Sequence, residues 1–221
     1  MASNFKLYGY WRSAATYRVR IALSLKGLSW EETSIDLMAG EQFTGEFADR
    51  NPQHSVPVLY DGSAAFTQSL AIIEYLDERY PDPPLLPRDA AERAAVRSFA
   101  LISIADAHPL QTPRVRRWLG TQLGLDDAAI RRWVQHWFQE GFAAMESRLA
   151  SCQTPNSKYC FGDAPSLADI ALAAHSEGAS FVDVSCDDYP MLAAVMRNCQ
   201  NLDAFIKNKP SALRPDTEKR A

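Results

Sequence analysis

The sequence predicts an α/β domain followed by an all-α domain. Strand-like and helix-like patterns alternate over residues 1 to about 80, whereas apolar residues beyond about residue 88 recur only at helical spacing. Between the two regions lies Pro81-Asp82-Pro83-Pro84, with Pro87 close behind, and prolines in such a run form a stiff, extended connector. We therefore expect domains at residues 1–83 and 88–221.

Seven elements are expected in the first domain, in the order strand, helix, strand, helix, strand, strand, helix. They are a strand from Phe5, a helix stopping at Lys26-Gly27, a weak strand near Trp30–Ile35, a helical piece leading to Arg50, two strands flanking Asp61-Gly62, and a helix after Gln68-Ser69 that Pro81 closes. Asp-Gly between two such runs is a strong hairpin signal. The order is typical of a thioredoxin-like domain.

The second domain is expected to be helical throughout. An apolar stripe over residues 130–149 indicates a long helix that faces the core. Ser166-Leu167-Ala168-Asp169 has the spacing of a capping box and predicts the start of an apolar helix. Apolar residues from Leu192 to Phe205 mark the last clear helix.

Composition argues against several classes of partner. The chain has 47% hydrophobic and 23% charged residues and a net charge of −4, which offers no electrostatic case for nucleic acid or an acidic membrane surface. No stretch reaches the roughly 18 apolar residues of a membrane span, and no secretory signal is evident at the start. We expect a soluble, cytoplasmic protein.

The four cysteines limit the thiol chemistry. None precedes Cys152, and their spacing suits neither a zinc site nor a disulfide framework, so no metal is expected. A dithiol oxidoreductase mechanism in the first domain is excluded on the same ground. Any thiol that reacts there must be brought by a ligand.

The segment Phe5–Ile21 carries the clearest chemical signal. An apolar run breaks at Arg12-Ser13-Ala14-Ala15-Thr16, and a helical pattern follows. Backbone N–H groups and small hydroxyls then lie at a positive helix end, which suits an anion. If that anion is a thiolate, the hydroxyls can lower its pKa. The competing interpretation is a helix N-cap without further function, since serine and threonine are favoured caps.

The same segment resembles the zeta class of glutathione transferases, whose usual members isomerise maleylacetoacetate or maleylpyruvate. The matching stretches run in order along nearly the whole chain. They are RSAATYRVRIALSLKG at 12–27, NPQHSVPVL at 51–59, QSLAIIEYL at 68–76, DAHPLQTPRV at 106–115, FGDAPSLADI at 161–170 and DYP at 188–190. The resemblance implies the glutathione transferase fold, glutathione as cofactor, and a homodimer.

The resemblance also implies a set of glutathione-binding residues. They are Ser13, Gln42, Val56, Pro57, Gln68, Ser69, His108 and Gln111. The resemblance implies a cis Val56–Pro57 bond, since this proline is cis in thioredoxin-like folds. Because a proline cannot continue the ladder, the Val56 N–H and C=O can then pair with an extended peptide. Ser69 and the helix N–H groups would receive the γ-glutamyl carboxylate. Pro109 is expected to interrupt the helix beside His108.

The turn departs from the family pattern, because Ala14 and Ala15 replace a serine and a cysteine. We expect Ser13 to be the main stabiliser of the thiolate and Thr16 the second. A tyrosine donor, Tyr8 or Tyr10, is the alternative.

Arg12 and Arg114 are the expected carboxylate clamps, since a diacid needs two fixed guanidinium groups. The competing interpretation for each is a surface ion pair. A third arginine usual in the family is absent, and Ser180 and Phe181 occupy that region.

The expected function is glutathione-dependent cis–trans isomerisation of maleylpyruvate or maleylacetoacetate during catabolism of aromatic compounds. Thiolate addition would make the C=C bond single, and elimination after rotation would return the trans product, while Arg12 offers positive charge to the enolate. Two alternatives remain, a general transferase or dehalogenase and a non-catalytic glutathione-binding protein. Four retained residues argue against the second, namely Ser13, Gln68, Ser69 and His108.

Overall fold

The computed structural model describes residues 5–152 and 157–215. The chain forms two compact units, one of residues up to Pro84 with those from Asp203 onward, the other of Leu85–Leu202. The strands are β1 (Phe5–Gly9), β2 (Trp30–Ser34), β3 (Val58–Asp61) and β4 (Ala64–Thr67), and the helices are α1 (Ala14–Leu25), α2 (Gly45–Arg50), α3 (Ser69–Arg79), α4 (Ala90–Leu101), α5 (Pro113–Leu123), α6 (Asp127–Ser151), α7 (Leu167–Ser180), α8 (Pro190–Cys199), α9 (Asp203–Ile206) and α10 (Pro210–Leu213). The predicted arrangement of an α/β region followed by a helical one is confirmed.

The first unit is built on one mixed sheet with strand order β2-β1-β3-β4. β1 runs parallel to β2 and antiparallel to β3, and β4 is antiparallel to β3. Phe5 and Leu7 are fully buried while Lys6 between them is exposed, which is the alternation expected of a strand with one face on the core. The hairpin predicted at Asp61-Gly62 is confirmed, and Gly62 takes the positive φ (60°) that its turn requires.

α1 packs against α3 and ends where the sequence predicts. Val19, Ile21 and Leu23 are fully buried. At its C-terminal end Lys26 Nζ donates to Asp77 Oδ1 at 2.5 Å and to the carbonyl oxygens of Tyr80 and Pro83 at 2.6 and 2.5 Å. This buried ammonium therefore joins the end of α1 to the end of α3 and to the proline-rich connector.

The C-terminal segment, residues 203–215, does not belong to the second domain, which was expected to span residues 88–221. It clusters with the first unit, where α9 packs on α1 and Phe205 is buried. The Tyr17 hydroxyl donates to the Phe205 carbonyl at 2.8 Å. Because these contacts are made with α1, residues 203–215 belong to the first unit. The remainder of the expected domain, 216–221, lies outside the described residues.

In the second unit the helical chain is interrupted where Pro109 predicts it. α4 continues into a π-helical segment, Ile102–Ala107, and then a 3₁₀ turn, His108–Gln111. α5 begins only at Pro113, in the first turn, where a proline is tolerated. Proline lacks the N–H that an uninterrupted helix would need at this point.

The predicted capping box opens α7. Ser166 is the N-cap, and Asp169 accepts hydrogen bonds from the Ser166 N–H at 2.8 Å, the Ser166 hydroxyl at 2.9 Å and the Cys160 N–H at 2.8 Å. Asp169 has no exposed surface, and this burial raises its pKa although the hydrogen bonds oppose the rise. Within the described part of the chain, no helix is long and apolar enough to cross a membrane.

Candidate active site

The turn between β1 and α1, residues 10–13, presents Ser13 at the N-cap of α1. Ser13 has extended backbone angles (φ −75°, ψ 115°), and its Oγ accepts a hydrogen bond from the Thr16 N–H at 3.1 Å. The residue is half-buried. Since the cap uses the oxygen as an acceptor, the hydroxyl hydrogen can still be donated to an anion. The N-cap interpretation and the anion-site interpretation are therefore compatible.

Thr16 lies deeper than Ser13. It has no exposed surface, and its Oγ1 accepts a hydrogen bond from the Tyr10 N–H at 3.4 Å. A Cβ at Gly9 would come within 2.5 Å of Thr16 Cγ2, so the absence of a side chain at Gly9 is what lets the threonine pack there. Thr16 holds the helix against the end of β1, and Ser13 is the more accessible hydroxyl of the two.

An ion pair that the sequence analysis did not foresee supports the β1–α1 turn. Arg20, which is 2% exposed, donates from Nε to Glu32 Oε2 at 2.9 Å and from Nη1 to the Trp11 carbonyl at 3.4 Å. Tyr8, one of the alternative donors, lies against Arg50, whose Cζ is 5.0 Å from its ring centroid. Tyr10, the other, is 5% exposed, with its ring 5.8 Å from that of Trp11.

Sheet topology brings the expected glutathione residues of the first unit to one edge. The β1–β3 register pairs Tyr8 with Val58, and extending it by two residues puts Val56 beside Tyr10. The β3–β4 register pairs Val58 with Thr67, so Gln68 follows opposite Pro57. β2 is parallel to β1 and therefore ends at the same edge, from which the chain continues toward Gln42. Four elements thus meet at the end of the sheet that carries the β1–α1 turn.

At this edge the Val56–Pro57 bond is cis, as predicted. Val56 is 8% exposed, and among the described residues its N–H and C=O have no hydrogen-bond partner. Asn51, to which the sequence analysis gave no role, shapes the loop, because its Nδ2 donates to the Ser55 carbonyl at 2.7 Å and its Oδ1 accepts from the Gln53 N–H at 3.0 Å. A peptide backbone could pair with Val56 as an added strand.

The N-terminus of α3 lies at the same edge. Gln68 is the N-cap, with a positive φ of 67° and no side-chain cap bond, and its Nε2 donates to Gln53 Oε1 at 2.9 Å. Ser69 is therefore the first helical residue and not the cap. It is 4% exposed, and its hydroxyl has no hydrogen-bond partner among the described residues. With the first N–H groups of the helix, it can receive a carboxylate.

Gln42 lies in a 3₁₀ turn, Glu41–Phe43, that follows β2. Its side chain is 5% exposed, its Nε2 donates to the Leu37 carbonyl at 3.4 Å, and its buried Oε1 has no partner among the described residues. The Gln42 carbonyl lies 3.0 Å from Nδ1 of His54. An acceptor left over in this way suits a ligand that donates an N–H.

The expected residues of the second unit lie around the 3₁₀ turn His108–Gln111. Gln111 is 4% exposed, and neither its Oε1 nor its Nε2 has a partner within the described ranges. His108 is half-buried, and Arg114 is exposed on α5. Arg116 on the same helix donates from Nε to the Gln111 carbonyl at 2.7 Å and so supports this turn.

Three of the chain's four thiols are unsuited to act as a reactive thiolate. Burial raises the pKa of Cys160, Cys186 and Cys199, which keeps these thiols protonated at neutral pH. All three belong to the second unit. Among the described residues no group of three or more histidine, cysteine or acidic side chains could hold a metal ion.

Two family models match the chain. The glutathione S-transferase N-terminal domain matches residues 3–78, and the glutathione S-transferase C-terminal domain matches residues 127–198.

Individual relatives match over nearly the full chain. A probable maleylacetoacetate isomerase of Vibrio cholerae is 42% identical, over 92% of this chain and 94% of the relative. A maleylpyruvate isomerase of a Ralstonia species is 42% identical, over 96% and 99%. Glutathione S-transferase Z1 of Arabidopsis thaliana is 39% identical, over 93% and 91%.

Solved structures agree with these relatives. The holo structure of a maleylpyruvate isomerase, a bacterial glutathione S-transferase of the zeta class, superposes with a TM-score of 0.91 at 42% identity, covering 96% of this chain and 99% of that one. The maleylacetoacetate isomerase of Methylobacterium extorquens AM1, with malonate and glutathione bound, gives 0.90 at 39% identity, covering 95% and 98%.

Proposed function

This chain belongs to the glutathione S-transferase family and to its zeta class, and on that premise we propose that it is a glutathione-dependent cis–trans isomerase of a maleyl diacid. The substrate is maleylpyruvate or maleylacetoacetate, the compounds in the names of its relatives, and the setting is the catabolism of aromatic compounds. The observation that carries the proposal is the convergence of Ser13, Val56 and Ser69 at one edge of the sheet.

The residues at this edge fit glutathione. A tripeptide with an extended backbone matches the unpaired N–H and C=O of Val56, and its γ-glutamyl carboxylate matches the N-terminus of α3. The buried amide groups of Gln42 and Gln111 offer donors and acceptors that no described residue uses. Pro57, Gln68 and His108 complete the proposed glutathione-binding set.

Each catalytic residue has a distinct proposed task. Glutathione, when bound, supplies the thiolate that adds reversibly to the C=C bond. Ser13 donates its hydroxyl hydrogen to the sulfur. Thr16 was expected to be the second stabiliser of the thiolate, but it has no exposed surface, so its proposed task is to hold the turn that aims the Ser13 hydroxyl. Arg12 and Arg114 bind the two carboxylates, because a guanidinium fork matches a carboxylate bidentately. Both arginines are exposed, as groups that meet a soluble diacid must be.

The alternative is a general transferase or dehalogenase that acts on another electrophile. Ser180 and Phe181, where the family has an arginine, and Ala14 and Ala15 in the turn favour it. Homodimerisation and a cytoplasmic location belong to the main proposal. The dimer rests on the family resemblance alone, and the location rests on the composition of the sequence. Light scattering tests the dimer, because a mass near the 24.6 kDa of one chain would refute it.

The purified protein should be assayed with maleylpyruvate, with maleylacetoacetate and with an uncharged electrophile, each with and without glutathione. We expect isomerisation of a maleyl compound only when glutathione is present. Turnover of the uncharged electrophile alone would establish the alternative.

Arg114→Lys sharpens the same test. Lysine keeps the charge but not the planar fork, so kcat/KM for the diacid should fall about ten- to a hundred-fold through a higher KM. Activity with an uncharged electrophile should hardly change. Arg117→Lys, an exposed neighbour on the same helix, is the matched control. Unaltered diacid kinetics in both Arg12→Lys and Arg114→Lys would remove the proposed clamp.

A further inference from the structure

Two arginines of the first unit have no acidic partner among the described residues, and both lie near the β1–α1 turn in sequence or in space. Arg18 lies on α1, and Arg214 lies in the C-terminal segment. A third arginine nearby, Arg20, is neutralised by Glu32. The contrast matters because a cation paired to a carboxylate contributes little field at a distance, whereas an unpaired one acts on any anion that arrives.

Arg18 is the more unusual of the two. It is 2% exposed, its Nε is enclosed without a partner, and no hydrogen bond or ion pair joins it to any other described residue. Burial lowers its pKa to about 10, so it remains a cation at neutral pH. An unpaired buried guanidinium is costly to a fold. Its presence therefore points to an anion that no described residue supplies.

Helix geometry directs Arg18 toward the turn. It follows Ala14 by four residues, which places the two on one face of α1 with their Cα atoms about 6 Å apart along the axis. Long helical side chains lean back toward the N-terminus of their helix. Helix geometry therefore favours a guanidinium directed toward the helix end that Ser13 caps.

Arg214 approaches the turn from the C-terminal segment. Its Cζ lies 6.0 Å from the ring centroid of Trp11, the residue before Arg12, and its Nε is enclosed without a partner. Trp11 is itself 7% exposed, with its carbonyl held by Arg20. The α9 part of this segment is fixed to α1 by the hydrogen bond from Tyr17 to Phe205.

We propose that Arg18 and Arg214 form a cationic frame around the β1–α1 turn that stabilises the thiolate form of bound glutathione. The inference rests on the glutathione-dependent function proposed above and deepens it. Ser13 would supply the hydrogen bond to sulfur, and the frame would supply the positive potential. Both arginines are positioning residues in this scheme, because they act on the sulfur through space.

The acidic side chains around α1 do not neutralise Arg18 or Arg214 by any ion pair among the described residues. The charged residues of the elements packed on α1 are Glu31 and Glu32 of β2, Lys6 of β1, Glu74, Asp77, Glu78 and Arg79 of α3, and Asp203, Lys207 and Lys209 of the C-terminal segment. Glu32 pairs with Arg20, Asp77 with Lys26, and Asp203 with Lys207. None of these carboxylates raises the pKa of Arg18, whose lowering is due to burial alone.

The test is a titration of the glutathione thiol bound to the full-length protein, followed by the ultraviolet absorbance of the thiolate without any maleyl compound. Arg18→Met keeps an unbranched side chain of similar length but removes the charge. We expect it to raise the thiol pKa by about one unit, a tenfold loss of thiolate below that pKa, at low and high salt alike because the charge is buried. Its melting temperature should be unchanged or higher, whereas a purely structural Arg18 would lower it.

Arg214→Gln is the second variant in this titration, and it tests the cationic frame on its own if Arg18→Met fails to fold. Arg214 is only half-buried, so its loss should raise the thiol pKa by less than one unit at low salt and by almost nothing at about 1 M salt, where the Debye length is about 3 Å. Arg79→Gln is the matched control, since Arg79 also lies over an aromatic ring, that of Tyr80, at 5.6 Å. It should leave the thiol pKa unchanged.

Two results separate this inference from the proposed function. If the wild-type protein isomerises a maleyl diacid but the thiol pKa stays unchanged in folded Arg18→Met, or in Arg214→Gln at low salt, the frame is refuted and the function stands. If both variants raise the thiol pKa but the wild-type protein is inactive on maleyl diacids, the frame is supported and the isomerase proposal fails.

Discussion

Ser13 and Ser166 cap helices with the same chemistry but in different surroundings. The Ser166 hydroxyl accepts from the Ala168 N–H at 3.2 Å and donates to Asp169 at 2.9 Å, so both of its capacities are used within the protein. The Ser13 hydroxyl accepts from the Thr16 N–H, and α1 has no acidic residue in its first turn. Where α7 carries a carboxylate of its own, α1 carries none, which fits our proposal that a ligand supplies the anion there.

The comparison separates a structural helix N-terminus from a chemical one. In both places the positive end of a helix and a serine favour negative charge. At α7 the fully buried side chain of Asp169 supplies this negative charge from within the protein. At α1 we propose that the same preference serves the thiolate of glutathione. Thr16, which occupies the position equivalent to Asp169, provides only a neutral hydroxyl.

Removal of the carboxylate from the structural cap should have the largest effect. Asp169→Ala leaves two buried N–H groups and a hydroxyl without their acceptor, so the free energy of unfolding should fall by about 3–5 kcal/mol. Chemical denaturation measures this loss. The folded protein should still bind glutathione normally. Asp163→Ala, at an exposed aspartate nearby, is the control and should cost little. Equal stability of the two variants would show that the α7 cap is dispensable.

Ser13→Ala should show the opposite pattern, with a large loss of turnover and a small loss of stability. Loss of one donor to a developing or resident anion costs about a hundred-fold in kcat, whereas loss of an N-cap costs only about 1 kcal/mol of stability. Glutathione affinity should change far less than turnover, because the hydroxyl acts on the charged sulfur. Steady-state kinetics, calorimetric binding and thermal melting of the same preparation give the three values. Loss of stability as large as that of Asp169→Ala would make Ser13 a structural cap like Ser166.

Thr16→Val should reduce turnover much less than Ser13→Ala does. It keeps the buried shape but removes the acceptor of the Tyr10 N–H, which should cost about 1–3 kcal/mol of stability. Turnover should fall by only a few-fold, because the hydroxyl supports the turn and does not contact the ligand. If Thr16→Val abolishes activity while Ser13→Ala is silent, the roles of the two hydroxyls are reversed.

Local chemistry explains which features could be predicted from the sequence. The Asp61-Gly62 hairpin, the Ser166 capping box and the break at Pro109 each depend on residues within a few positions of one another, and all are present. Contacts between residues that are far apart in the chain leave no comparable pattern in the sequence. The bond from Tyr17 to Phe205 joins residues 188 positions apart, so the placement of residues 203–215 with the first unit was not foreseen.

The same limit applies to the candidate site. Ser13 and Ser69 both lie at helix starts that the sequence pattern indicates. That Gln68 and not Ser69 is the N-cap of α3 depends on the positive φ of Gln68, and a glutamine gives no sign of such a backbone conformation. The support of the turn by Arg20 depends on a glutamate in a neighbouring strand. The isolation of Arg18 depends on which side chains do not reach it, and a sequence pattern carries no such information.

The most direct test is the pKa of the glutathione thiol bound to three proteins, the wild type, Ser13→Ala and Ser166→Ala. An open N-cap that serves a ligand predicts that the thiol pKa rises by about one to two units in Ser13→Ala, since a hydrogen bond to the charged form is lost. Ser166→Ala should match the wild-type thiol pKa while losing stability. An unshifted thiol pKa in folded, glutathione-bound Ser13→Ala would contradict the distinction drawn between the two helix ends.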